Sequence, residues 1–251
     1  MPDAVVLAGG QEKGPLREIT GLAYRPLIEV GGRLLVNRTL AALRAARQIG
    51  RIALVGPEAV TQAADPALFD AAAPAGDEFA DNILRGVEAL HAGGGVLVGT
   101  ADLPFLTPEA VDDFVARALA AGAAFVYPIV RREVCEAKFP GTRRTYVRLR
   151  GGTFTGGNVV LADVDVLRGR RDLIVHLFGY RKKPVRLAQV LGLGFVLGLA
   201  LGRLDVEQIE RRGAQILGAR VAAVVTDYPE IGFDVDKPVD LEQARRLAAK
   251  L

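Results

Sequence analysis

Serine is absent from this chain, and histidine and cysteine are scarce. Without serine the chain cannot be a hydrolase with a serine nucleophile. Neither of the two histidines, His91 and His176, has a partner at metal-ligand spacing, which argues against a zinc site. The single cysteine, Cys135, cannot form an internal disulfide, and we expect a buried thiol rather than a nucleophile. Chemistry in this chain must therefore come from carboxylates, cations and backbone amides.

Composition and the first residues bound the class of protein. Of the 251 residues, 50% are hydrophobic and 24% are charged, which is typical of a soluble globular protein and excludes a disordered chain. Met1 leads directly into a strand-like run, without the basic and apolar stretches of a secretory signal. Because a single cysteine also fits a reducing compartment, we expect the protein in the cytoplasm.

Positive charge is modest overall but unevenly distributed. A formal net charge of +3 is too small to predict binding to nucleic acid. Arginines concentrate in residues 131–150 and 168–186, and the first of these segments has few aromatic residues for base stacking. A small phosphorylated ligand fits this pattern better than a polynucleotide.

Short apolar runs alternate with segments of helical periodicity, which is the pattern of a parallel sheet covered by helices. We predict strands at 4–7, 52–55, 96–98, 124–128, 158–161 and 221–225. Helices are predicted from Pro108, behind the cap Thr107, to Gly122; over 36–49 with Gly50 as the stop; and from Pro238 onward. The predicted inward faces comprise Val111, Phe114, Val115, Ala118 and Leu119 in the first helix, and Leu241, Ala244 and Leu247 in the last. We expect one α/β domain over residues 1–251, with three layers and an open, mostly parallel sheet.

Residues 163–218 interrupt this alternation, and we expect a helical insertion there. A basic stretch, RKKPVR at 181–186, precedes an apolar run at 190–202 that contains no polar side chain. That run would give roughly 20 Å of helix, which is too short to span a bilayer. Two interpretations stay open. The insertion packs on the core or on a second copy in a homodimer, or residues 181–204 make a peripheral contact with a membrane through the basic stretch and the apolar run.

The stretch LAGG, residues 7–10, ends the first predicted strand in two glycines. At the carboxyl edge of a sheet, the backbone of Gly9 and Gly10 would let a nucleotide approach closely. The loop behind it brings Lys13, Arg17 and Arg25, which are cations suited to a triphosphate. The loop matches neither G-x-x-x-x-G-K-[ST] nor G-x-G-x-x-G, and a plain turn would explain the glycines equally well.

Carboxylates follow the strands at two further places. Asp102, in TADLPFL, comes just after the strand at 96–98, in the crevice where open α/β sheets bind ligands. Asp234 and Asp236, in GFDVDKP, alternate on an extended stretch and so point to one side. Two such carboxylates repel each other unless a cation lies between them. A magnesium ion shared with Asp102 would supply that cation.

The stretch GTFTGGNVVL presents backbone and an amide side chain at the start of a strand. Asn158 offers one donor group and one acceptor group to a ligand, and Gly156 and Gly157 before it expose their backbone. The arginines of 131–150, Arg144 among them, would draw in a phosphorylated acceptor. A tight turn and a solvated basic face remain the alternatives.

In sequence order, these motifs resemble those of nucleotidyltransferases with the glycosyltransferase A-like, Rossmann-like fold, and most of all the MobA-like NTP transferase branch. The motifs are LAGG, a basic loop with Arg25-Pro26, A-D-x-P, G-G-N and D-x-D-x-P-x-D-L. They span nearly the whole chain except residues 163–218. The resemblance implies transfer of a nucleoside monophosphate, guanylyl or cytidylyl, from a triphosphate to a phosphorylated small molecule. Pyrophosphate would be released, and Mg²⁺ would be the cofactor.

The resemblance also implies roles for particular residues. Those matching the nucleotide-binding segments are Leu7, Ala8, Gly9, Gly10 and, more loosely, Asp81 and Asn82. Those matching the metal positions are Asp102 and Asp236, with Asp234 beside them. Asn158 falls where sugar-phosphate members bind the acceptor, with Gly157 next to it. Arg25 occupies the position at which members of the family usually have a lysine that contacts the phosphates. We expect Lys13 and Arg17, from the same loop, to assist it as catalytic cations.

Two departures keep other functions open. The loop lacks the usual G-x-x-x-R-M/L-G signature, and arginine replaces the lysine, with a planar fork in place of a point charge. The alternatives are a glycosyltransferase that uses a nucleotide sugar, and a nucleotide-binding relative with altered catalysis.

Overall fold

The computed structural model describes residues 1–142, 144–180 and 189–249. The strands of the main sheet are β1 (Asp3–Leu7), β4 (Ile52–Gly56), β5 (Ala71–Pro74), β6 (Gly95–Thr100), β7 (Phe125–Arg131), β8 (Val147–Leu149), β9 (Gly152–Gly156), β10 (Val159–Asp163) and β11 (Val221–Thr226). A small hairpin pairs β2 (Glu29–Val30) with β3 (Arg33–Leu34). The six strands expected from apolar runs are all present.

Helices cover both faces of the sheet. They are α1 (Pro15–Thr20), α2 (Leu35–Ala45), α3 (Glu58–Ala63), α4 (Phe79–Ala89), α5 (Pro108–Ala121), α6 (Arg132–Lys138), α7 (Val164–Gly169), α8 (Arg171–Tyr180), α9 (Leu193–Ala200), α10 (Val206–Leu217) and α11 (Pro238–Ala248). Short 3-10 turns lie at Arg25–Leu27, Pro66–Leu68 and Pro229–Gly232. In the described part of the chain, no helix is both long enough and apolar enough to cross a membrane.

The main sheet is mixed but mostly parallel, as expected. Its order is β5-β4-β1-β6-β10-β7-β9-β8, with β11 on the other edge of β7. Only β9 and β10 run against the other seven strands. Both lie on one edge of β7, end to end, so the short connection between them, Gly157-Asn158, interrupts that antiparallel ladder.

Three layers follow from the alternation of side chains along the strands. In β1, Ala4 and Val6 face a core cluster with Leu40 of α2 and Phe114 of α5. Val5 faces the opposite cluster, which contains Val87 of α4. A third cluster lies beneath the candidate site, and its members include Leu16, Phe139, Phe233, Val235 and Leu241.

Two helix predictions need correction. Helix α2 ends at Ala45 rather than at Gly50, because Ala46 is already extended and Ile49 is buried from the loop that follows. Helix α5 has the predicted cap, with Thr107 Oγ1 accepting from Ala110 N at 3.2 Å, and ends at Gly122 in the left-handed region. Its Leu119, however, is 51% exposed and does not belong to the inward face.

Close packing of α4 on β1 gives a stability prediction. A Cβ at Gly86 would collide with the Val5 side chain, whereas a Cβ at Gly169, also helical, would meet nothing within 4 Å. We expect Gly86→Ala to lower the free energy of unfolding by about 1–3 kcal/mol through overpacking. Gly169→Ala should raise it by up to about 1 kcal/mol through helix propensity. Urea denaturation measures both, and a stabilised Gly86→Ala protein would refute the close approach.

Candidate active site

Three carboxylates converge at one end of the sheet. Asp102 follows β6, and Asp234 and Asp236 lie on the extended segment between the Pro229–Gly232 turn and α11. Oxygens from all three lie within 4.8 Å of one another. The backbone holds them together, because Val235 N donates to Asp102 O at 3.2 Å.

Burial of the intervening residues orients the two later carboxylates. Phe233 and Val235 are buried in the third core cluster, so the residues that alternate with them, Asp234 and Asp236, face the site. Asp240, in the first turn of α11, accepts from the backbone N of Asp236 and of Lys237, at 3.2 and 2.9 Å. The extended segment is therefore fixed at both ends.

Asp102 is the most buried of the three, with 8% of its surface exposed. Its Oδ2 accepts from Arg25 Nη1 at 2.9 Å, while its buried Oδ1 has no hydrogen-bond partner among the described residues. Burial raises the pKa of this carboxyl, repulsion from Asp234 adds to the rise, and attraction to Arg25 opposes it.

Arg25 bridges the cluster from the loop after β1. Its Nη1 contacts Asp102 and also forms a close ion pair with Asp236. Its outer edge contacts Glu12, with Nη2 at 3.0 Å from Oε2. Although burial favours the uncharged form, attraction to Asp102 and Asp236 raises the pKa of Arg25 further above its ordinary value. This side chain is a permanent cation.

Arg144 neutralises the third carboxylate. Its Nη1 forms a close ion pair with Asp234, and its guanidinium lies over the Phe233 ring, 4.7 Å from the centroid. Only 12% of its side chain is exposed. Two guanidinium groups thus compensate the three carboxylates.

The donor set fits a divalent cation of the magnesium type. All three groups offer carboxylate oxygens, which Mg²⁺ and Ca²⁺ prefer over nitrogen or sulfur. Mutual repulsion of the three carboxylates also favours an added cation. Asp102, Asp234 and Asp236 could hold the ion.

A cavity of about 370 Å³ opens beside the carboxylates. Its lining includes the expected Gly156, Asn158 and Arg144, together with residues to which the sequence analysis gave no role: Tyr127, Thr145, Thr155, Gly232, Lys237 and Asp240. Asp240 could have been found, because it stands at the third position of a helix that begins with Pro238, where an acidic side chain caps.

The two glycines before Asn158 serve close packing. Gly156 lines the cavity under Tyr127, whose hydroxyl would collide with a Cβ there. Gly157 is buried and is not among the residues that line the cavity. A Cβ on it would lie 2.7 Å from Pro128 Cγ, so the packing here requires glycine. Tyr127 Oη donates to Gly157 O at 2.8 Å, and burial raises the pKa of this tyrosine. The connection is held rigidly.

The glycine turn after β1 lies next to Asp102, since β1 pairs with β6 up to Leu7 and Thr100. Leu7 O accepts from Ala101 N at 3.1 Å, and Ala8 is buried. A Cβ on Gly9 would lie 2.8 Å from Ala75 Cβ, whereas Gly10 is exposed and open. The turn therefore requires glycine at its first position and is accessible at its second.

Asn82 reaches this turn and Asp81 turns away from it. The Asn82 amide bonds both the N and the O of Gly76, at 2.6 and 3.0 Å, which fixes the loop next to Gly9. Asp81 instead pairs with Arg171 of α8, at 2.8 Å from Nη2 to Oδ2. Arg171 holds the pKa of Asp81 below its ordinary value.

Lys13 and Arg17 are exposed, and no ion pair among the described residues includes either one. The structure therefore brings Arg25 into the carboxylate cluster but leaves these two cations outside it. Glu12, which the sequence did not indicate, is the loop residue that contacts Arg25. Its Oε1 accepts from Gly14 N at 2.9 Å, which fixes its position.

Three solved structures of similar fold bear the names of transferases. A hypothetical transferase from Thermus thermophilus is 42% identical, with a TM-score of 0.85 over 96% of this chain and 99% of its own. A nucleotidyl transferase from Methanothermobacter thermautotrophicus is 18% identical, with a TM-score of 0.61 over 100% of this chain and 98% of its own. The 2-C-methyl-D-erythritol 4-phosphate cytidylyltransferase from Thermus thermophilus is 20% identical, with a TM-score of 0.54 over 99% of this chain and 100% of its own. The latter two similarities establish the fold alone.

A search of curated proteins found no match. The model of the MobA-like NTP transferase domain, in contrast, matches residues 4–186, which include the glycine turn, Arg25, Asp102 and Asn158. Because this match covers most of the chain, the protein belongs to the MobA-like NTP transferase family.

Proposed function

We propose that the protein transfers a nucleoside monophosphate from a triphosphate to a phosphorylated small molecule, with release of pyrophosphate and with Mg²⁺ as the cofactor. The observation that carries this proposal is the position of the three carboxylates. Asp102 adjoins the accessible glycine turn, because Ala101 N donates to Leu7 O, and Asp234 and Asp236 line the cavity together with Asn158 and Arg144. A triphosphate on one side and an acceptor on the other would meet at the carboxylates.

In this reaction an acceptor phosphate oxygen attacks the α-phosphorus, the bond from that phosphorus to the bridging oxygen breaks, and pyrophosphate leaves. The nucleophile is already anionic near neutral pH, so no general base is required, in keeping with a described cavity lining that contains no histidine. Magnesium, when bound by the carboxylates, would neutralise and orient the phosphates. Arg25 would stabilise the leaving group, and we propose Lys13 and Arg17 as supporting cations from the same loop.

The acceptor side would be formed by Asn158 and Arg144. The backbone N of Asn158 donates to Ile231 O at 2.9 Å, and its side-chain amide, which lines the cavity, would orient a phosphate monoester. Arg144 would contact the acceptor phosphate as a bidentate fork. On the nucleotide side, the backbone of Leu7, Ala8, Gly9 and Gly10, with Asn82 and Asp81, would hold the base, ribose and phosphates. We propose a guanylyl or cytidylyl group as the one transferred.

Asp102 provides the sharpest test of catalysis. Pyrophosphate release is screened with four triphosphates against a library of phosphate monoesters. We expect Asp102→Asn to lower the rate by about 10²–10³-fold, because a preorganised charge is lost. Asp165→Asn, at an exposed aspartate on α7 that takes part in no ion pair among the described residues, should leave the rate unchanged.

The alternatives are distinguished by the same screen together with assays of nucleotide-sugar hydrolysis and of triphosphate binding. The proposal would be contradicted if pyrophosphate release persisted both in Asp102→Asn and after chelation of magnesium. Hydrolysis of a nucleotide sugar without pyrophosphate would indicate a glycosyltransferase. Tight triphosphate binding without turnover for any acceptor would indicate a relative with altered catalysis.

A pair of asparagines tests the assignment of the two sides. We expect Asn158→Ala to raise the KM for the acceptor by about tenfold or more, since a hydrogen bond to a charged group is lost. Asn82→Ala should instead raise the KM for the triphosphate, because the loop at Gly76 loses its support. Steady-state kinetics with each substrate varied in turn measure both. Equal effects of the two variants on both KM values would refute the assignment.

We also propose that the protein makes a peripheral contact with an anionic membrane surface through residues 181–204. Residues 181–188 lie outside the described residues. Within α9 and at its end, Leu193, Leu197 and Leu201 are 66%, 53% and 59% exposed and recur every fourth residue, so they share one face. Beside this helix, the edge strand β8 and the residue after it expose Arg148 and Arg150, and Arg203 is exposed just beyond the end of the helix. Exposed leucines beside exposed cations fit an interfacial helix.

Liposome flotation tests this contact. We expect the protein to float with vesicles that contain phosphatidylserine. With neutral vesicles it should remain unbound at the bottom of the gradient. Leu197→Glu should abolish flotation, while Leu119→Glu, at a similarly exposed leucine on α5, should not. A protein that ignores anionic vesicles contradicts the membrane proposal. If that protein is also a dimer that Leu197→Glu dissociates, the face belongs to a second copy.

A further inference from the structure

The position of the Arg25 guanidinium bears on how a cation would enter the carboxylate cluster. Arg25 Nη1 lies between Asp102 and Asp236, in contact with an oxygen of each. These are two of the three residues whose oxygens come within 4.8 Å of one another. A cation that used those same oxygens would require Nη1 to leave them.

Arg25 has a second carboxylate that can retain it. Glu12 Oε2 accepts from the Nε and Nη2 edge of the guanidinium, at 3.4 and 3.0 Å, which is the edge away from Asp102 and Asp236. Glu12 is itself fixed through Gly14 N, and only 10% of its side chain is exposed. Arg25 can thus release its inner contacts without losing its outer one.

The third carboxylate has its own guanidinium. Arg144 pairs with Asp234 at the wall of the cavity, where it also lies over Phe233. Both cations that the reaction would direct at phosphates are therefore engaged by the carboxylates that would hold the metal.

Charge sets the direction of the exchange. Without a metal, Arg25, Arg144 and Lys237 face five carboxylates, namely the three of the cluster with Glu12 and Asp240, so the net charge is negative and opposes phosphate binding. A divalent cation adds two positive charges at this point and takes over the carboxylate oxygens. The guanidinium groups then become available to anions.

We propose that Arg25 and Arg144 serve as resident counter-ions that a divalent cation displaces, so that the metal must enter before the phosphates are bound. Glu12 is the positioning residue that keeps Arg25 at the site during the exchange. This inference rests on the proposed function for the identity of the phosphates. The competition between arginine and metal concerns this chain's own residues and is independent of the proposed function.

Binding of Mn²⁺ to the free protein, without nucleotide, tests the exchange. Isothermal titration should show that Arg25→Gln binds Mn²⁺ about tenfold more tightly than the unaltered protein, because no cation has to be displaced first. Arg25→Lys should lie between the two. Arg47→Gln, which removes one positive charge from a side chain that is 92% exposed, controls for the change in net charge and should leave the affinity unchanged.

The role of Glu12 is tested in the same assay. We expect Glu12→Gln to change Mn²⁺ affinity in the unaltered protein and to have no effect in the Arg25→Gln background, since it acts through Arg25. Thermal unfolding provides a second readout that also checks folding. Mn²⁺ should raise the Tm of Arg25→Gln more than that of the unaltered protein, because the uncompensated carboxylates gain more from it.

The outcomes separate this inference from the proposed function. Equal Mn²⁺ affinities in the unaltered and Arg25→Gln proteins, both lost in Asp102→Asn, would overturn the exchange and leave the metal site intact. Absence of Mn²⁺ binding in every variant would also overturn the exchange, whereas the proposed function is decided separately by pyrophosphate release. Binding of inorganic pyrophosphate gives the last arm. It should strengthen at least about tenfold with Mn²⁺ in the unaltered protein, and independence from the metal would overturn the order of binding.

Discussion

Mutual repulsion of Asp102, Asp234 and Asp236 is the constraint on which the site depends. Three carboxylates this close are stable only if cations compensate them. The fold supplies that compensation from two directions, with Arg25 from the loop after β1 and Arg144 from the segment before β8. The repulsion between the acids is thus offset by side chains that would also serve the reaction.

Much of the fold could be predicted because its parallel strands are buried on both faces and appear as apolar runs. Strands that do not have such runs were missed. Strands β8 and β9 are VRL and GTFTG, short and poor in large apolar residues, and they pair antiparallel at the edge of the sheet. Helix α2 was predicted too long because Ile49 is buried from a loop, which periodicity cannot distinguish from a helical position.

The site could be predicted only in part, and the reason is pairing. That Asp102 lies near the glycine turn follows from parallel strands ending at one edge of the sheet. Which cation each acid selects does not follow, because partners such as Arg171 and Asp81, or Arg144 and Asp234, are 90 residues apart. Glu12 was overlooked for the same reason, since its contact with Arg25 exists only after the loop has folded back.

The interruption at Gly157-Asn158 separates two tasks that a continuous strand would combine. Strands β9 and β10 carry the ladder bonds to β7, and Gly157 carries the tight packing against Pro128. The side chain of Asn158 lies in the connection between the two strands and lines the cavity. Ligand preference at this position can therefore diverge among proteins of this architecture while the scaffold around it stays unchanged.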